Sequence, residues 1–293
     1  MLDVRCGERE EVESSAVGLG GVRYKLSMLL FLAMMACSPP VSPPAQRAAV
    51  PSPGRGSMRV ATWNVEWLDG REGRGVRPRS ASDYAALAAV VSGVEADVWS
   101  FQEVLDETAV RRLVGPDWTV YVESRRADQR VAMAVRPGLT ATFSEVEDIS
   151  VGRRGLRRGV VATVDGVDIL GIHLKAGCQW DPLDRGDDCV TVGRQLEEVE
   201  EWLDGRTGTA VVIGDWNRQL TGRDAGWLNL NDGTPVPLVA PLLDASDDCP
   251  GSRHRHPIDH AVVRGITESD VRARQVRDAA SSDHCPVVVD LTR

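Results

Sequence analysis

The chain has 293 residues and a formal net charge of −9, with 42% hydrophobic and 26% charged residues. This length suits one large domain with short appendages, and the composition is that of a globular protein, which excludes a wholly disordered chain. Proteins that bind nucleic acid through net charge alone are basic, so a contact with nucleic acid here requires a local basic patch or a bound cation.

The first feature along the chain is a targeting segment. The apolar stretch Leu26–Ala36 follows Arg23 and Lys25. It is shorter than the roughly 20 residues of a transmembrane helix, but it suits the apolar region of a signal peptide. We therefore expect a signal peptide over residues 1–36. Residues 1–21 are acidic, unlike the start of a signal peptide, and are interpreted as lying before the true start.

The signal peptide ends in Met34-Met35-Ala36-Cys37, which resembles a bacterial lipobox and predicts lipidation of Cys37. Residues 37–57 are rich in proline, a composition typical of an extended tether, and residues 58–293 would form the catalytic domain. These features predict an exported protein, lipid-anchored to a bacterial membrane and facing the periplasm or the exterior. The alternative is cleavage by ordinary signal peptidase, which would release a soluble secreted protein.

The rest of the chain predicts many short strands and few helices. In order, the sequence predicts strand Val60–Glu66, a helix over 82–94 capped by Ser82, strand Asp97–Gln102, helix Glu107–Val114, strands over 118–123, 131–135, 140–147, 160–164 and 167–174, a helix over 192–203, and strands over 210–213, 261–263 and 287–291. A glycine-centred hairpin is expected at Asp165-Gly166. The pattern favours an α+β fold, with two packed mixed sheets flanked by helices.

Four cysteines lie beyond Cys37, and an even number in an exported chain predicts two disulfides. Cys178 and Cys189 would close a short loop and are the preferred pair, which leaves Cys249 and Cys285 by elimination. Four free buried cysteines are the alternative. A zinc site is disfavoured because the chain has no C-x-x-C spacing.

Short polar segments lie at or near the ends of the predicted strands: Trp63-Asn64, Gln102-Glu103, His173-Leu174-Lys175, Gly214-Asp215-Trp216-Asn217, Ile258-Asp259-His260 and Ser282-Asp283-His284. Each segment alone has an ordinary structural explanation, such as a turn-forming asparagine or a surface acid. Together they offer carboxylates for a divalent cation, a base for water and donors for developing negative charge. Those are the groups that hydrolysis of a phosphodiester requires.

In this order the segments resemble the motif series of the endonuclease/exonuclease/phosphatase superfamily, the fold group of pancreatic-type deoxyribonuclease. The resemblance covers residues 58–293. It implies a four-layer α/β sandwich and a hydrolase that depends on Mg²⁺, with Mn²⁺ as a substitute. It also implies metal binding by Asn64, Glu103 and Asp283, and it leaves open whether His284 or Asp215 is the general base.

The resemblance further implies that Asp259 orients His284, that Asp215 and Asn217 position water and phosphate, and that His173 contacts a phosphate oxygen. Lys175 is expected to add a donor to the substrate. His260 is interpreted as the neighbour of Asp259, and His254 and His256 as loop residues near the site.

The arginine run Arg153, Arg154, Arg157 and Arg158 has two interpretations, a solvated loop or a contact with phosphate groups, and Arg157 and Arg158 are the candidates for substrate binding. The leading hypothesis is an extracytoplasmic endonuclease acting on nucleic acid. The alternatives are a sphingomyelinase-like phospholipid phosphodiesterase, a phosphomonoesterase on small esters, and a non-catalytic lipoprotein, which would lack at least one of Glu103, Asp259 and His284. The membrane is expected as a partner through the lipid anchor, no protein partner is expected, and the chain is expected to be a monomer.

Overall fold

A computed structural model describes residues 56–233, 236–277 and 282–292. The expected signal peptide, Cys37 and nearly all of the tether lie outside the described residues. Among the described residues, no helix has the length and apolar character needed to span a membrane.

Two mixed sheets form the centre of the fold. In spatial order the first sheet contains β10 (Val271–Gln275), β11 (Val287–Thr292), β1 (Ser57–Leu68), β2 (Val98–Val104), β4 (Arg130–Val135) and β3 (Thr119–Val122). The second contains β5 (Ala141–Val146), β6 (Gly159–Val164), β7 (Val167–His173), β8 (Ala210–Asp215) and β9 (Asp259–Arg264). The pairs β1–β2 and β7–β8 are parallel, and the other described pairs are antiparallel.

In the described part of the chain, four α-helices cover the outer faces of the sheets. They are α1 (Ala81–Val94), α2 (Glu107–Val114), α3 (Gly186–Asp204) and α4 (Ala225–Leu230). Helices α1 and α2 pack on the first sheet, and α3 and α4 pack on the second. The expected four-layer sandwich of two sheets flanked by helices is therefore confirmed.

The alternation of side chains along each strand explains why the sheets pack face to face. In β1, Met58 and Val60 join the core between the sheets, whereas Ala61 and Trp63 pack under the helices. Successive residues of a strand point to opposite faces, so each strand supplies two apolar layers. The sheets approach so closely that a Cβ atom at Gly171 would lie 2.8 Å from Met133 Sδ. Glycine at this position therefore keeps the two sheets in contact.

Several predicted boundaries need correction. Helix α1 is capped by Ser80 and not by Ser82: the Ser80 hydroxyl accepts from the Asp83 amide, while the Asp83 carboxylate accepts from the Ser80 amide. Helix α3 begins at Gly186, six residues before the predicted start, because its first turn is polar and lacks apolar periodicity. The sequence prediction also missed β10 and α4. The hairpin at Asp165-Gly166 is confirmed, with φ angles of 49° and 78°.

Two disulfides join the pairs that the sequence favoured. Cys178 is bonded to Cys189, and Cys249 to Cys285. The first bridge ties the segment after β7 to the first turns of α3, and its sulfur is buried against the guanidinium of Arg218. The second ties the loop before β9 to the segment before β11. Both bridges hold segments that leave the same edge of the sandwich.

Replacement of both Cys178 and Cys189 by serine should lower the free energy of unfolding by about 2–4 kcal/mol, because the unfolded chain regains the entropy of an open loop. Urea unfolding of the oxidised protein and of the double variant measures the difference. Reduction of the wild-type protein breaks both disulfides and should cause a loss at least as large. An unchanged unfolding midpoint in the double variant would contradict a bridge at this position.

Candidate functional site

The candidate site forms where several strands end at one edge of the sandwich. In the second sheet His173, Asp215 and Asp259 are neighbours across three strands, because β7 and β8 run parallel and β9 runs antiparallel to them. In the first sheet Asn64 of β1 pairs in register with Gln102 of β2. The segment that enters β11 arrives at the same edge, because β11 is antiparallel to β1.

The carboxylate of Asp215 is the centre of the site. Its Oδ2 atom accepts a hydrogen bond from Asn64 Nδ2 at 3.0 Å, and it lies 3.4 Å from His173 Nε2 and 3.8 Å from His284 Nε2. Its Oδ1 atom accepts from the amide of Asn217 at 2.8 Å. Asp215 is buried, and groups from both sheets therefore converge on one carboxylate.

Asp259 and His284 form a hydrogen-bonded pair beside Asp215. His284 Nδ1 lies 2.7 Å from Asp259 Oδ2, which orients the imidazole and turns its Nε2 atom towards Asp215. Two further contacts hold this segment: Ser282 Oγ donates to the carbonyl of Asn64, and Trp63 Nε1 donates to the carbonyl of His284. The predicted Asp259–His284 contact is present.

Burial and neighbouring charges set the protonation of these groups. Burial raises the pKa of Asp215 to about 6; the charge of His284 opposes this shift and that of Asp259 adds to it. Burial alone would lower the pKa of His284, but the carboxylates of Asp259 and Asp215 outweigh it and raise the pKa well above its usual value. At neutral pH the site therefore holds an imidazolium beside a carboxylate that is a stronger base than an ordinary aspartate.

Burial, the charge of Arg157 and that of His284 lower the pKa of His173 well below its usual value, so this histidine is neutral. Its ring is buried, with Nε2 facing Asp215 and 4.0 Å from Glu103 Oε1. His173 therefore contacts the carboxylates from inside the fold.

A second group of carboxylates lies at the end of β1 and β2. Glu103 Oε2 accepts from the amide of Trp67, and Glu66 Oε2 accepts from the amide of Asp283. Among the described residues no lysine or arginine pairs with Glu103 or Asp283, whereas Glu66 pairs with Arg77. These acids lie at the ends of neighbouring strands, and carboxylate oxygens are ligands that Mg²⁺ prefers. Glu66 was not among the predicted ligands, because in β1 it reads as an ordinary polar strand residue.

The amide of Asn64 lies between two carboxylates, and its expected role as a metal ligand stays a prediction. Its Oδ1 atom accepts from the amide of Glu66, so its NH₂ group faces the carboxylates of Asp215 and Glu103, at 3.0 and 3.3 Å. The donor amide of Glu66 indicates which end of the Asn64 side chain is oxygen. Asn64 therefore holds the two carboxylates together.

Possible ligand atoms of Asp215, Asp259 and His284 also lie within 4.8 Å of one another. A cation held by all three would have to break the 2.7 Å hydrogen bond between Asp259 and His284. A cation at Glu66, Glu103 and Asp283 would leave that hydrogen bond intact but would have to displace Arg77 from Glu66.

Asn217 lies beyond the end of β8, with a left-handed φ of 49°. The sequence prediction placed it on the strand face shared with Asp215, and the structure corrects this. The backbone turns at Asn217, and the side chain donates from Nδ2 to the carbonyl of Leu174 at 3.2 Å. Asn217 therefore links the ends of β7 and β8 next to Asp215.

The three expected substrate-binding side chains have other partners. Arg157 is buried and donates to the carbonyls of His173 and Leu174, and Arg158 pairs with Glu145 and Glu147. The ammonium of Lys175 lies 2.9 Å from an Asp188 carboxylate oxygen. Arg157 is therefore held inside the fold, whereas the assignment of Arg158 and Lys175 to substrate binding stays a prediction.

The remaining histidines have structural contacts. His260 is buried, its Nε2 lies 2.7 Å from the carbonyl of Pro257, and burial lowers its pKa to about 4. His256 Nδ1 lies 2.7 Å from the carbonyl of Ala245. His254 lines a cavity of about 420 Å³ together with Asp259 and His284. The expectation that the loop histidines lie near the site therefore holds for His254.

The sequence matches the family model described as "Endonuclease/Exonuclease/phosphatase family" over residues 61–284. No curated protein matches the sequence. Similar folds occur in TDP2 from D. rerio, solved with a single-strand DNA product, and in an exonuclease from Neisseria meningitidis. A further similar fold is that of an AP endonuclease from Archaeoglobus fulgidus.

The likeness to these structures is one of fold. TDP2 from D. rerio has a TM-score of 0.59 and 14% identity, with 81% of this chain and 99% of that chain covered. The Neisseria enzyme has a TM-score of 0.57 and 17% identity, with 80% and 100% covered. The Archaeoglobus enzyme has a TM-score of 0.58 and 14% identity, with 79% and 98% covered.

Replacement of Arg157 by methionine should lower the free energy of unfolding by about 2–4 kcal/mol, because two buried carbonyl groups lose their donor. Replacement of Arg158 by glutamine should have a much smaller effect, because its pairs with Glu145 and Glu147 are partly solvated. Urea unfolding of both variants measures the contrast. Equal effects would contradict the distinction between a buried support and a surface pair.

Proposed function

The chain belongs to the endonuclease/exonuclease/phosphatase family, and on that premise we propose that it is a metal-dependent nuclease that hydrolyses phosphodiester bonds outside the cytoplasm. The proposal rests on the side chains from both sheets that converge on Asp215. One edge of the sandwich brings together a basic carboxylate, an oriented imidazolium and further carboxylates at the ends of β1 and β2. A phosphodiester needs all three, because its attack by water both releases a proton and builds negative charge on oxygen.

Glu66, Glu103 and Asp283 are the residues that would hold the cation, which we propose to be Mg²⁺, with Mn²⁺ as a substitute. When bound, the cation supplies positive charge that stabilises the negative charge developing on the scissile phosphate. Asn64 contributes by holding Glu103 beside Asp215 through its two N–H groups.

The protonation states assign the proton transfers. With a pKa raised to about 6, Asp215 is ionised at neutral pH and basic enough to accept a proton from the attacking water. His284 is an imidazolium at the same pH, and its Nε2–H can donate to a phosphate oxygen while Asp259 holds Nδ1. We therefore propose Asp215 as the general base and His284 as the donor that stabilises the phosphate.

Support for nucleic acid as the substrate comes from structural relatives. TDP2 from D. rerio was solved with a single-strand DNA product, and the other two relatives are an exonuclease and an AP endonuclease. Support for export comes from the two disulfides of the domain, since such bonds persist in oxidising compartments. We propose that the signal peptide directs this export and that a lipid on Cys37 anchors the protein.

The purified, oxidised protein should nick supercoiled plasmid DNA in the presence of Mg²⁺ or Mn²⁺, and chelation of the metal should stop the reaction. His284→Ala should lower kcat by about 10²–10⁴-fold, because the developing charge loses its donor. Thermal unfolding of the variant checks that its fold is intact. Near-wild-type turnover by a folded His284→Ala protein would refute the mechanism. Metal-dependent hydrolysis of phospholipids or small esters without cleavage of DNA would refute nucleic acid as the substrate.

Glu103→Gln should raise the Mg²⁺ concentration needed for half-maximal activity at least tenfold, because the site loses a charged oxygen ligand. Glu107→Gln is the matched control, since Glu107 is exposed on α2, where it pairs with Arg111. Titration of activity with Mg²⁺ measures the two variants. An equal metal requirement in both would remove Glu103 from the metal site.

The pH profile of kcat/KM should fall on the acid side with a midpoint near pH 6, because activity requires ionised Asp215, and protonation removes the base as the pH drops through its pKa. A higher concentration of Mg²⁺ should move the midpoint to lower pH, since a nearby cation favours the carboxylate. Initial rates in buffers from pH 4.5 to 8 provide the test. Activity that stays constant from pH 8 down to about pH 5 would exclude Asp215 as the base.

A further inference from the structure

Five arginines surround a cavity of about 370 Å³ formed by two loops: Arg125, Arg126, Arg153, Arg154 and Arg158. The first two lie between β3 and β4, and the other three between β5 and β6. No carboxylate is among the described residues that line the cavity. We call this cavity the arginine pocket. In a chain with a net charge of −9, such a local excess of positive charge marks a region suited to an anion.

Two of the five arginines are fixed by carboxylates outside the pocket. Arg125 Nε lies 2.6 Å from an oxygen of Glu123, which is fully buried. Arg158 Nη1 lies 2.8 Å from Glu145 and 3.0 Å from Glu147. These pairs hold both loops in place. Three carboxylates against five guanidinium groups leave an excess of two positive charges.

The other three arginines supply that excess. Arg126, Arg153 and Arg154 are exposed, and none has a carboxylate partner among the described residues. Their guanidinium groups can therefore bind a ligand without first breaking an ion pair. A guanidinium group binds phosphate through paired N–H donors, which makes phosphate the anion that this pocket fits.

The pocket is joined directly to the candidate catalytic edge. Arg157 lies between two pocket residues, Leu156 and Arg158, and donates to the carbonyls of His173 and Leu174 at the end of β7. Glu123 joins the two loops, because it accepts from the side chain of Arg125 and from the amide of Arg158. The charge of Arg125 also reaches His173, where it adds to burial and to other charges in lowering the pKa.

We propose that the arginine pocket binds a non-scissile phosphate of the nucleic-acid strand whose neighbouring phosphodiester is hydrolysed at Asp215 and His284. The proposal rests on the nuclease function proposed above and makes it more specific. A small ester with one phosphate places that group at the catalytic edge and has nothing to offer the pocket. A nucleic-acid strand carries further phosphates, and proteins usually bind such a strand in a cationic groove that follows its backbone.

The test compares two double variants that remove the same charge. Arg153→Gln/Arg154→Gln removes two pocket arginines, and Arg194→Gln/Arg272→Gln removes two exposed arginines, from α3 and β10. The substrates are a single-stranded oligonucleotide and bis(4-nitrophenyl) phosphate, which has one phosphate. The pocket double variant should raise KM for the oligonucleotide about tenfold and leave hydrolysis of the small ester unchanged. It should also reduce the salt dependence of oligonucleotide binding by about one unit of log–log slope.

The control double variant should behave as wild type on both substrates. Equal KM values for the two double variants on the oligonucleotide would overturn the proposal, and so would an equal loss on the small ester, which would indicate damage to the catalytic edge. Loss of binding to anionic lipid vesicles, with oligonucleotide binding retained, would also overturn it and identify a membrane surface as the ligand.

Binding is measured separately on the His284→Ala background, by fluorescence anisotropy of a labelled oligonucleotide. If the wild-type protein cleaves no nucleic acid, the proposed nuclease function fails. The binding measurement alone then tests whether the pocket binds phosphate. Weaker binding by the pocket double variant than by the control would keep the pocket as a phosphate site. Equal binding by the two double variants would show that the pocket is not a phosphate site.

Discussion

The site depends on the contact between Asn64 and Asp215, which joins the two sheets at the edge where their strands end. Asn64 belongs to β1 of the first sheet and Asp215 to β8 of the second, and the hydrogen bond between them measures 3.0 Å. The amide of Asn64 can reach the carboxylate only if the sheets pack closely, and the apolar core between them enforces that packing. The close packing of the two sheets therefore determines the geometry of the site.

Bent backbone at the strand ends is the second requirement of the site. Glu66, Glu103 and Asn217 have left-handed φ angles of 48°, 61° and 49°, a conformation that non-glycine residues rarely adopt. Each bend lies where a side chain must leave the strand direction and enter the site. Local hydrogen bonds compensate at two of them: Asn64 Oδ1 accepts from the Glu66 amide, and Asp215 Oδ1 accepts from the Asn217 amide. Strain held in this way fits a preorganised functional edge.

The sequence predicted most of the strands and the residues of the site, but it could not predict the directions of side chains. Period-two alternation identified the buried strands. Strand β10 was missed because only Val271 is buried and the other residues, exposed or half-buried, show no clear alternation. The ordered motifs placed Asp215, Asp259 and His284 together because strand ends share an edge. Arg157 turns inward to the carbonyls at the end of β7, and nothing in its own segment encodes that tertiary contact.

Charge is distributed in the fold so that an acidic protein can still present a cationic route to its acidic centre. The carboxylates of the site would repel a polyanion, because like charges repel each other strongly where little water screens them. Arg157 offsets part of it from within: burial lowers the pKa of its guanidinium, and the charges of Asp215 and Glu103 oppose that shift. Exposed arginines in the neighbouring loops extend the same positive field to the surface. A substrate phosphate would therefore meet guanidinium groups at the surface before it reaches the carboxylates, an order that favours entry of an anion into a site built from acids.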